Sequence, residues 1–444
     1  MQREAPPVYR EFPVRASRDP LKALEEARAR GRIVRTRVPA PVWLVFDPEG
    51  VQQVLAARSR SFRKGIVERN SLGFMGNGLL LSEGDFWRRQ RRLEQPAFHR
   101  ARIAGYVETM SRCTREMLEG WRDGDVVDVQ REMSALTLRI VNIVMFGADV
   151  REVSGEVARA LVPIGERLEG PGRNFYPVPE TIPTPTNLRY RRSMKVLDGL
   201  IYGIIARRRE ERQEGDLLDM LLEARDEQSG EGMNDRQVRD EVITIFAAGH
   251  ETTAVALGWC FHLLAHHPEV DERLAREAQE VLGEREPGVE EVAELRYASA
   301  VFREAMRIYP PIYAFSREAM EDVEVCGYTL PEGTEVLVSQ WVNHRDPEFF
   351  EDPLAFRPGR WLDGSTDGIP RYAYFPFGGG SRQCIGKPFA EMEGPLILAS
   401  IARRYRLRYL DPHEEVTLRP TVTLRPAHRG GRRRGLPPMV LEER

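Results

Sequence analysis

The sequence predicts a mainly α-helical protein with small β-sheets. Segments with apolar residues at helical spacing occupy most of the chain, whereas runs with strand character are short and few. The longest helical segment starts at Asn234 and Asp235 and continues until Pro268, and it is apolar on nearly all sides. Such a pattern is typical of a helix that passes through the centre of a molecule.

The other elements follow from the same periodicities. Helices are predicted, in chain order, over residues 94–121, 133–146, 189–209, 269–281, 297–309 and 388–404. Pro310 and Pro311 end the fifth of these because proline cannot continue a helix. Short strands are predicted over 42–46, 323–328, 335–342 and 416–424, the middle two separated by the turn at 331–333.

Composition excludes several classes of protein. The 444 residues are 41% hydrophobic, enough for a large core, and the formal net charge of −3 gives no field that would attract nucleic acid. The four cysteines form no CxxC pair, which favours a reducing compartment. The N-terminus lacks the apolar core of a signal peptide, and no stretch approaches a transmembrane anchor. We therefore expect a cytoplasmic protein.

Two segments break the regular pattern. Residues 170–187 contain five prolines, so they form either an interdomain linker or a long functional loop. Residues 427–444 combine arginines with glycines and are expected to form a flexible tail.

The strongest chemical signal is the segment FGGGSRQCIG at 377–386, which precedes a predicted helix. Its glycines, among them Gly378, permit a turn in which backbone amides approach the sulfur of Cys384, and the helix start adds a positive dipole end. Both effects favour a thiolate. Taken alone, Cys384 is better explained as a buried structural cysteine beside a glycine-rich turn.

A second signal lies in the central helix, where Gly249 precedes an acid and a hydroxyl, Glu251 and Thr252. The missing side chain can open a groove in the helix, and the acid and hydroxyl can relay protons by general-acid catalysis. The alternative is a hydroxyl that bonds back to its own helix beside a glycine kink.

Two weaker pairs complete the set. Glu304 and Arg307 lie one helical turn apart and can form an ion pair, to which Arg360 could add a second guanidinium. Trp87 and Arg91 are also one turn apart, and both can donate to a carboxylate. Each pair has a plain structural explanation when considered separately.

Together and in this order, these motifs resemble the cytochrome P450 family over nearly the whole chain. The resemblance is carried by WxxxR at 87–91, AGxET at 248–252, ExxR at 304–307 and FxxGxRxCxG at 377–386. It implies one domain over residues 1–444, triangular and mainly helical, with haem b between the central helix and the cysteine loop. The segment 170–187 then becomes a lid loop rather than a linker.

The resemblance also assigns roles to residues. Cys384 would be the thiolate ligand of the iron, Thr252 and Glu251 would deliver protons, and Phe377 would pack beside the proximal sulfur. The haem propionates would be held by Trp87, Arg91, Arg317 and Arg382, with Gly378 and Gly249 also adjoining the cofactor. Glu304, Arg307 and Arg360 would form a structural triad, although Gly359 stands where the family commonly has an acidic residue.

The implied reaction is insertion of one atom of dioxygen into a C–H bond of an apolar substrate. Thiolate donation to iron favours cleavage of the O–O bond, and electrons would come from a ferredoxin or flavodoxin type of donor docking near Arg88, Arg92 and Lys387. We expect a carotenoid or other long lipid, such as a fatty acid, as substrate. The substrate pocket is expected to be lined by Leu79, Leu80, Ala248, Ile312, Tyr313, Ala314, Thr423 and Leu424.

Two alternatives remain at this point. One is a haem-thiolate enzyme that uses peroxide or rearranges its substrate, against which the intact Glu251 and Thr252 pair argues. The other is a haem sensor without turnover, which would consume no oxygen when reduced in the presence of lipid.

Overall fold

A computed structural model describes residues 5–37, 41–71, 73–147, 160, 163–164, 182–210, 216–411, 413, 415–428 and 435–444. Helices dominate this part of the chain and strands are short, as the sequence predicts. The described helices are α1 (Phe12–Arg18), α2 (Pro20–Arg28), α3 (Pro48–Gln52), α4 (Ile66–Ser71), α5 (Gly84–Glu94), α6 (Arg100–Ala104), α7 (Val107–Glu119), α8 (Val129–Phe146), α9 (Pro185–Glu210), α10 (Leu217–Glu223), α11 (Asp235–His266), α12 (Pro268–Leu282), α13 (Val289–Glu294), α14 (Arg296–Ile308), α15 (Gln340–Asn343) and α16 (Lys387–Arg404).

The strands form four small sheets. The largest has the order β1-β2-β8-β5-β3 and is antiparallel except for the pair β2 and β8. The others pair β10 with β11, β6 with β7, and β12 with both β4 and β9. Their bounds are β1 (Ile33–Arg35), β2 (Val42–Val45), β3 (Phe62–Lys64), β4 (Val126–Val127), β5 (Phe315–Ala319), β6 (Val323–Val325), β7 (Tyr328–Leu330), β8 (Glu335–Val338), β9 (Tyr405–Tyr409), β10 (Val416–Pro420), β11 (Leu424–His428) and β12 (Met439–Glu443).

The central helix α11 begins where the sequence predicts. The Asn234 side chain accepts a hydrogen bond from the Gln237 backbone N–H at 3.0 Å, and Gln237 Oε1 accepts from the Asn234 N–H at 2.8 Å. This capping box satisfies two of the unpaired donors at the helix start. The helix then runs through the largest hydrophobic cluster, where Leu257 and Cys260 are fully buried.

The predicted helix over 94–121 is wrong in its bounds. Helix α5 ends at Glu94, and a 3-10 turn from Gln95 to Phe98, helix α6 and helix α7 follow. His99 has extended backbone angles (φ −69°, ψ 144°), so it interrupts the helical path between the turn and α6. Apolar spacing continues across this break, which is why the sequence suggests one helix.

The prediction of a flexible tail over 427–444 is wrong for the residues that the structure describes. Ala427 and His428 end β11, and β12 pairs along its whole length with β9. Leu436, Met439 and Leu441 are at most 1% exposed because they pack into the main hydrophobic cluster. The arginine run that suggested flexibility, 432–434, lies outside the described residues.

The predicted lid loop, 170–187, lies outside the described residues up to position 181. Its last residues form the start of a helix. Thr184 Oγ1 accepts a hydrogen bond from the Asn187 backbone N–H at 3.1 Å, and α9 begins at Pro185, where proline has the backbone angle that a first helical turn needs. No helix in the described ranges is both long and apolar enough to cross a membrane.

Candidate active site

The cysteine loop is shaped by glycines. The backbone N–H of Cys384 donates to the Phe377 carbonyl at 3.0 Å, which closes the loop. Gly378 and Gly380 have positive φ angles of 68° and 67°, which residues with side chains rarely adopt. A Cβ atom on Gly380 would lie 1.9 Å from the Leu55 carbonyl oxygen, so the loop also needs glycine there for close packing.

Cys384 is the only one of the four cysteines with an exposed side chain, and that side chain borders a large cavity inside the protein. Burial raises the pKa of its thiol, while the backbone N–H groups of Gly386 and Lys387 and the charge of Arg91 act in the opposite direction. These groups reduce the cost of a thiolate, and coordination to a metal ion would complete the deprotonation.

The cavity, of about 1020 Å³, lies between α11 and the cysteine loop and brings the predicted site residues together. Haem would therefore have both a ligand and a space between the two elements that the sequence indicates. The predicted cofactor and catalytic residues that border the cavity are Trp87, Arg91, Gly249, Glu251, Thr252, Arg317, Phe377, Gly378, Arg382 and Cys384. Those predicted for substrate that border it are Leu79, Leu80, Ala248, Ile312, Tyr313, Ala314 and Thr423.

Leu424 is the exception among the predicted pocket residues. It is 0% exposed and packs in a hydrophobic cluster beside α2 and β2. Its carbonyl accepts a hydrogen bond from Trp259 Nε1 at 2.8 Å, and its backbone N–H donates to the Pro311 carbonyl at 2.8 Å. The turn between β10 and β11 presents Val422 and Thr423 to the cavity, and the strand then turns Leu424 into the core.

A group of buried cations borders one side of the cavity. The Arg382 guanidinium lies 4.4 Å from the centre of the Trp87 ring, donates to the Ser82 carbonyl at 2.9 Å and pairs with Glu83. Burial lowers the pKa of Arg382 to about 10. Arg317 is 7% exposed, and burial lowers its pKa as well.

Lys64 belongs to the same group, although sequence reasoning missed it. Burial, with the charges of Arg317 and Arg382, lowers the pKa of Lys64 to about 7. The carboxylates of Glu68 and Glu83 lie near these cations and favour their charged forms. Haem propionates would add negative charge beside the same group, so these residues fit the cofactor. No local signal distinguishes Lys64 from the other three lysines of the sequence, so its place beside the cavity could not be predicted.

The acid and hydroxyl of α11 are both hydrogen-bonded. Thr252 Oγ1 donates to the Ala248 carbonyl at 2.8 Å, the bond back to its own helix that the sequence left as an alternative. Glu251 Oε1 accepts from Thr423 Oγ1 at 2.9 Å and from Arg425 Nε at 2.6 Å. Arg425 was also missed, because its partner lies 174 positions earlier in the chain.

The predicted triad is assembled and almost completely buried. Glu304 and Arg307 are 0% exposed and Arg360 is 2% exposed. Glu304 accepts two hydrogen bonds from Arg307, at 2.8 and 2.9 Å, one from Arg360 at 3.0 Å and one from Trp361 Nε1 at 2.9 Å. Arg360 reaches Glu304 although the residue before it is Gly359. A Cβ at position 359 would meet no atom closer than 4.0 Å, so close packing does not require glycine there.

Comparison with known proteins agrees with this geometry. Residues 12–429 match the family model for cytochrome P450. The chain is 38% identical to "Cyclooctatin synthase" of Streptomyces melanosporofaciens, covering 92% of this chain and 90% of that protein. It is also 38% identical to "Cyclooctat-9-en-7-ol 5-monooxygenase" of the same organism (88% and 86% covered) and 35% identical to "Pentalenene oxygenase" of Streptomyces avermitilis (92% and 89% covered). The chain therefore belongs to the cytochrome P450 family of haem-thiolate monooxygenases.

Proposed function

We propose that this P450 inserts one oxygen atom into a C–H bond of a large neutral terpenoid, a class that includes carotenoids and polycyclic terpenes. The observation that carries the proposal is the ion pair between Arg425 and Glu251. A fatty-acid carboxylate would compete with Glu251 for Arg425, whereas a neutral hydrocarbon leaves the pair intact. The names of the similar proteins, which include a pentalenene oxygenase, support the same class.

The residues assigned to the cofactor have separate tasks in this proposal. Cys384 would ligate the iron, and Arg317, Arg382, Trp87 and Arg91, which border the same cavity, would hold the propionate edge. When bound, haem supplies the chemistry that activates dioxygen, so that one oxygen atom enters the substrate and the other leaves as water.

Thr252 and Glu251 move the protons. The Thr252 hydroxyl donates to the Ala248 carbonyl, which fixes its oxygen at the cavity wall with lone pairs left to accept a hydrogen bond. The Glu251 side chain is 27% exposed, so it can exchange protons with solvent. Arg425 and Thr423 hold the ionised side chain in place through the ion pair and the hydrogen bond.

Electrons come from a separate protein, which we propose is of the ferredoxin or flavodoxin type. Arg88, Arg92 and Lys387 have side chains that are 48%, 43% and 37% exposed, each in an ion pair with an acidic neighbour. An acidic donor could exchange the exposed partners of Arg88 and Lys387 at small cost, because exposed pairs contribute little stability. The partner of Arg92, Asp226, is only 2% exposed, so that pair is expected to stay intact. Reduction should therefore slow as ionic strength rises.

Optical titration of the haem protein tests the substrate class. A sesquiterpene hydrocarbon such as pentalenene is expected to displace the water on ferric haem, and a fatty acid of equal carbon number to do so at least about tenfold more weakly. Tighter binding of the fatty acid, lost in Arg425→Gln but kept in the surface control Arg408→Gln, would instead assign a carboxylate substrate. Arg408 pairs with Glu442 on an exposed strand and serves as the matched control.

A further inference from the structure

The loop between α4 and α5, residues 73–83 and here called the pocket loop, lies directly on the first half of the central helix. A Cβ atom on Gly76 would lie 2.3 Å from Asp240 Oδ1, and one on Gly78 would lie 2.2 Å from Thr244 Oγ1. Glycines at these two positions allow the loop backbone to contact helix side chains without any intervening group.

Two successive carboxylates of the central helix hold this loop. Asp240 Oδ2 accepts from the Asn77 backbone N–H at 2.9 Å, and Glu241 Oε2 accepts from the Leu79 N–H at 2.7 Å. Glu241 Oε1 accepts from Gln90 Nε2 at 3.0 Å, which ties α5 to the same group. Leu79 is thus positioned through its backbone while its side chain borders the cavity.

Glu94, on the last turn of α5, meets Glu241 from the other side. Both side chains are 0% exposed, and each lies close enough to affect the pKa of the other. Within the described part of the chain, no N–H or hydroxyl group donates to either oxygen of Glu94. Two neighbouring buried carboxylates repel each other, so the pair is more stable with one proton bound, and burial together with the charge of Glu241 raises the pKa of Glu94.

The other charges around the pair do not remove the need for a proton on one of the two carboxyls. Arg91, one turn earlier on α5, favours the charged form of Glu94, while Asp240 beside Glu241 disfavours a second negative charge. Arg239 is committed to Asp198 and Asp240, at 2.6 and 2.7 Å. A neutral Glu94 therefore leaves the negative charge on Glu241, which accepts from the Leu79 N–H and from Gln90 Nε2.

We propose that Glu241 is a positioning residue for the P450 reaction, and that its hydrogen bond from the Leu79 backbone N–H makes Leu79 and Leu80 keep one arrangement over the bound substrate. This contact determines which C–H bond of a large apolar molecule faces the reacting centre. Glu241 acts through the loop backbone, whereas Glu94 itself borders the cavity. The inference rests on the monooxygenase site but not on which hydrocarbon the enzyme takes.

Amide hydrogen exchange of the haem-loaded protein tests the first step. Glu241→Leu should speed exchange in the peptide covering 76–82 by about tenfold, the factor for losing one hydrogen bond to a charged group. Glu94→Gln keeps an uncharged side chain beside Glu241 and should retain wild-type protection. The matched control is Glu277→Leu, because Glu277 likewise accepts two backbone N–H groups, from Tyr297 at 2.6 Å and Ala298 at 2.8 Å, but lies away from the pocket loop.

Ligand discrimination tests the second step. Imidazole and phenylimidazole both bind ferric haem, and the larger ligand would fill more of the cavity that Leu79 and Leu80 border. Glu241→Leu should weaken the binding of phenylimidazole about tenfold relative to the binding of imidazole. Glu94→Gln and Glu277→Leu should leave the ratio of the two dissociation constants unchanged. Equal weakening of both ligands, unchanged exchange in Glu241→Leu, or lost protection in Glu94→Gln would each overturn the proposal. None of these results depends on the terpenoid assignment, which the substrate titration tests separately.

Discussion

Removal of the Glu304 carboxylate should destabilise the protein severely. In the native protein this side chain accepts hydrogen bonds from Arg307, Arg360, Trp361 and the Arg357 backbone N–H, at distances from 2.8 to 3.1 Å. Glu304→Ala leaves two guanidinium groups without their carboxylate in a region that water does not reach. Loss of one member of such a buried ion pair costs on the order of 3–5 kcal/mol.

Equilibrium urea unfolding of the haem-loaded protein, followed by far-ultraviolet circular dichroism and by haem absorbance, measures this loss. Arg307 also donates to the carbonyls of His344 at 2.9 Å and Pro353 at 2.7 Å, so the meeting point of three chain segments should loosen and haem should dissociate earlier. The control is Glu119→Ala, which removes an exposed carboxylate paired with Arg115 and should leave the midpoint nearly unchanged. An unfolding free energy for Glu304→Ala close to that of wild type would refute the reasoning.

Three further predictions concern the cysteine loop and pH. Cys384→Ser should abolish the thiolate-specific band in the spectrum of the reduced protein with carbon monoxide, and an unchanged band would exclude Cys384 as ligand. Gly380→Ala should lower haem retention, because its Cβ would lie 1.9 Å from the Leu55 carbonyl and its φ is 67°; retention equal to wild type would contradict this packing. Burial lowers the pKa of His344 to about 3 from 6.5, so the unfolded chain binds the extra proton between these values and stability should fall as pH falls through that window. His344→Gln should reduce the slope of the free energy of unfolding against pH by up to about 1.4 kcal/mol per pH unit. Urea unfolding at several pH values measures this slope, and an unaltered slope would show that His344 is not the group responsible.

The sequence by itself determined the features whose parts lie close together in the chain. The cysteine loop needs glycines within six residues of Cys384, followed at once by a helix, and both signals are local. The bounds of α11 were predictable for the same reason, since a capping box and a terminating proline act on their immediate neighbours. Order along the chain then identified the family.

Only the tertiary structure decided which distant groups meet. Lys64 comes from a short edge strand and Arg425 from a C-terminal strand. Glu94 at the end of α5 lies beside Glu241 of α11. Their roles depend on burial and on charges nearby in space, neither of which the local pattern encodes. The same reason explains the misjudged tail. An arginine run suggests a solvated segment, whereas pairing with β9 and β4 places Met439 and Leu441 where their side chains pack into the main hydrophobic cluster.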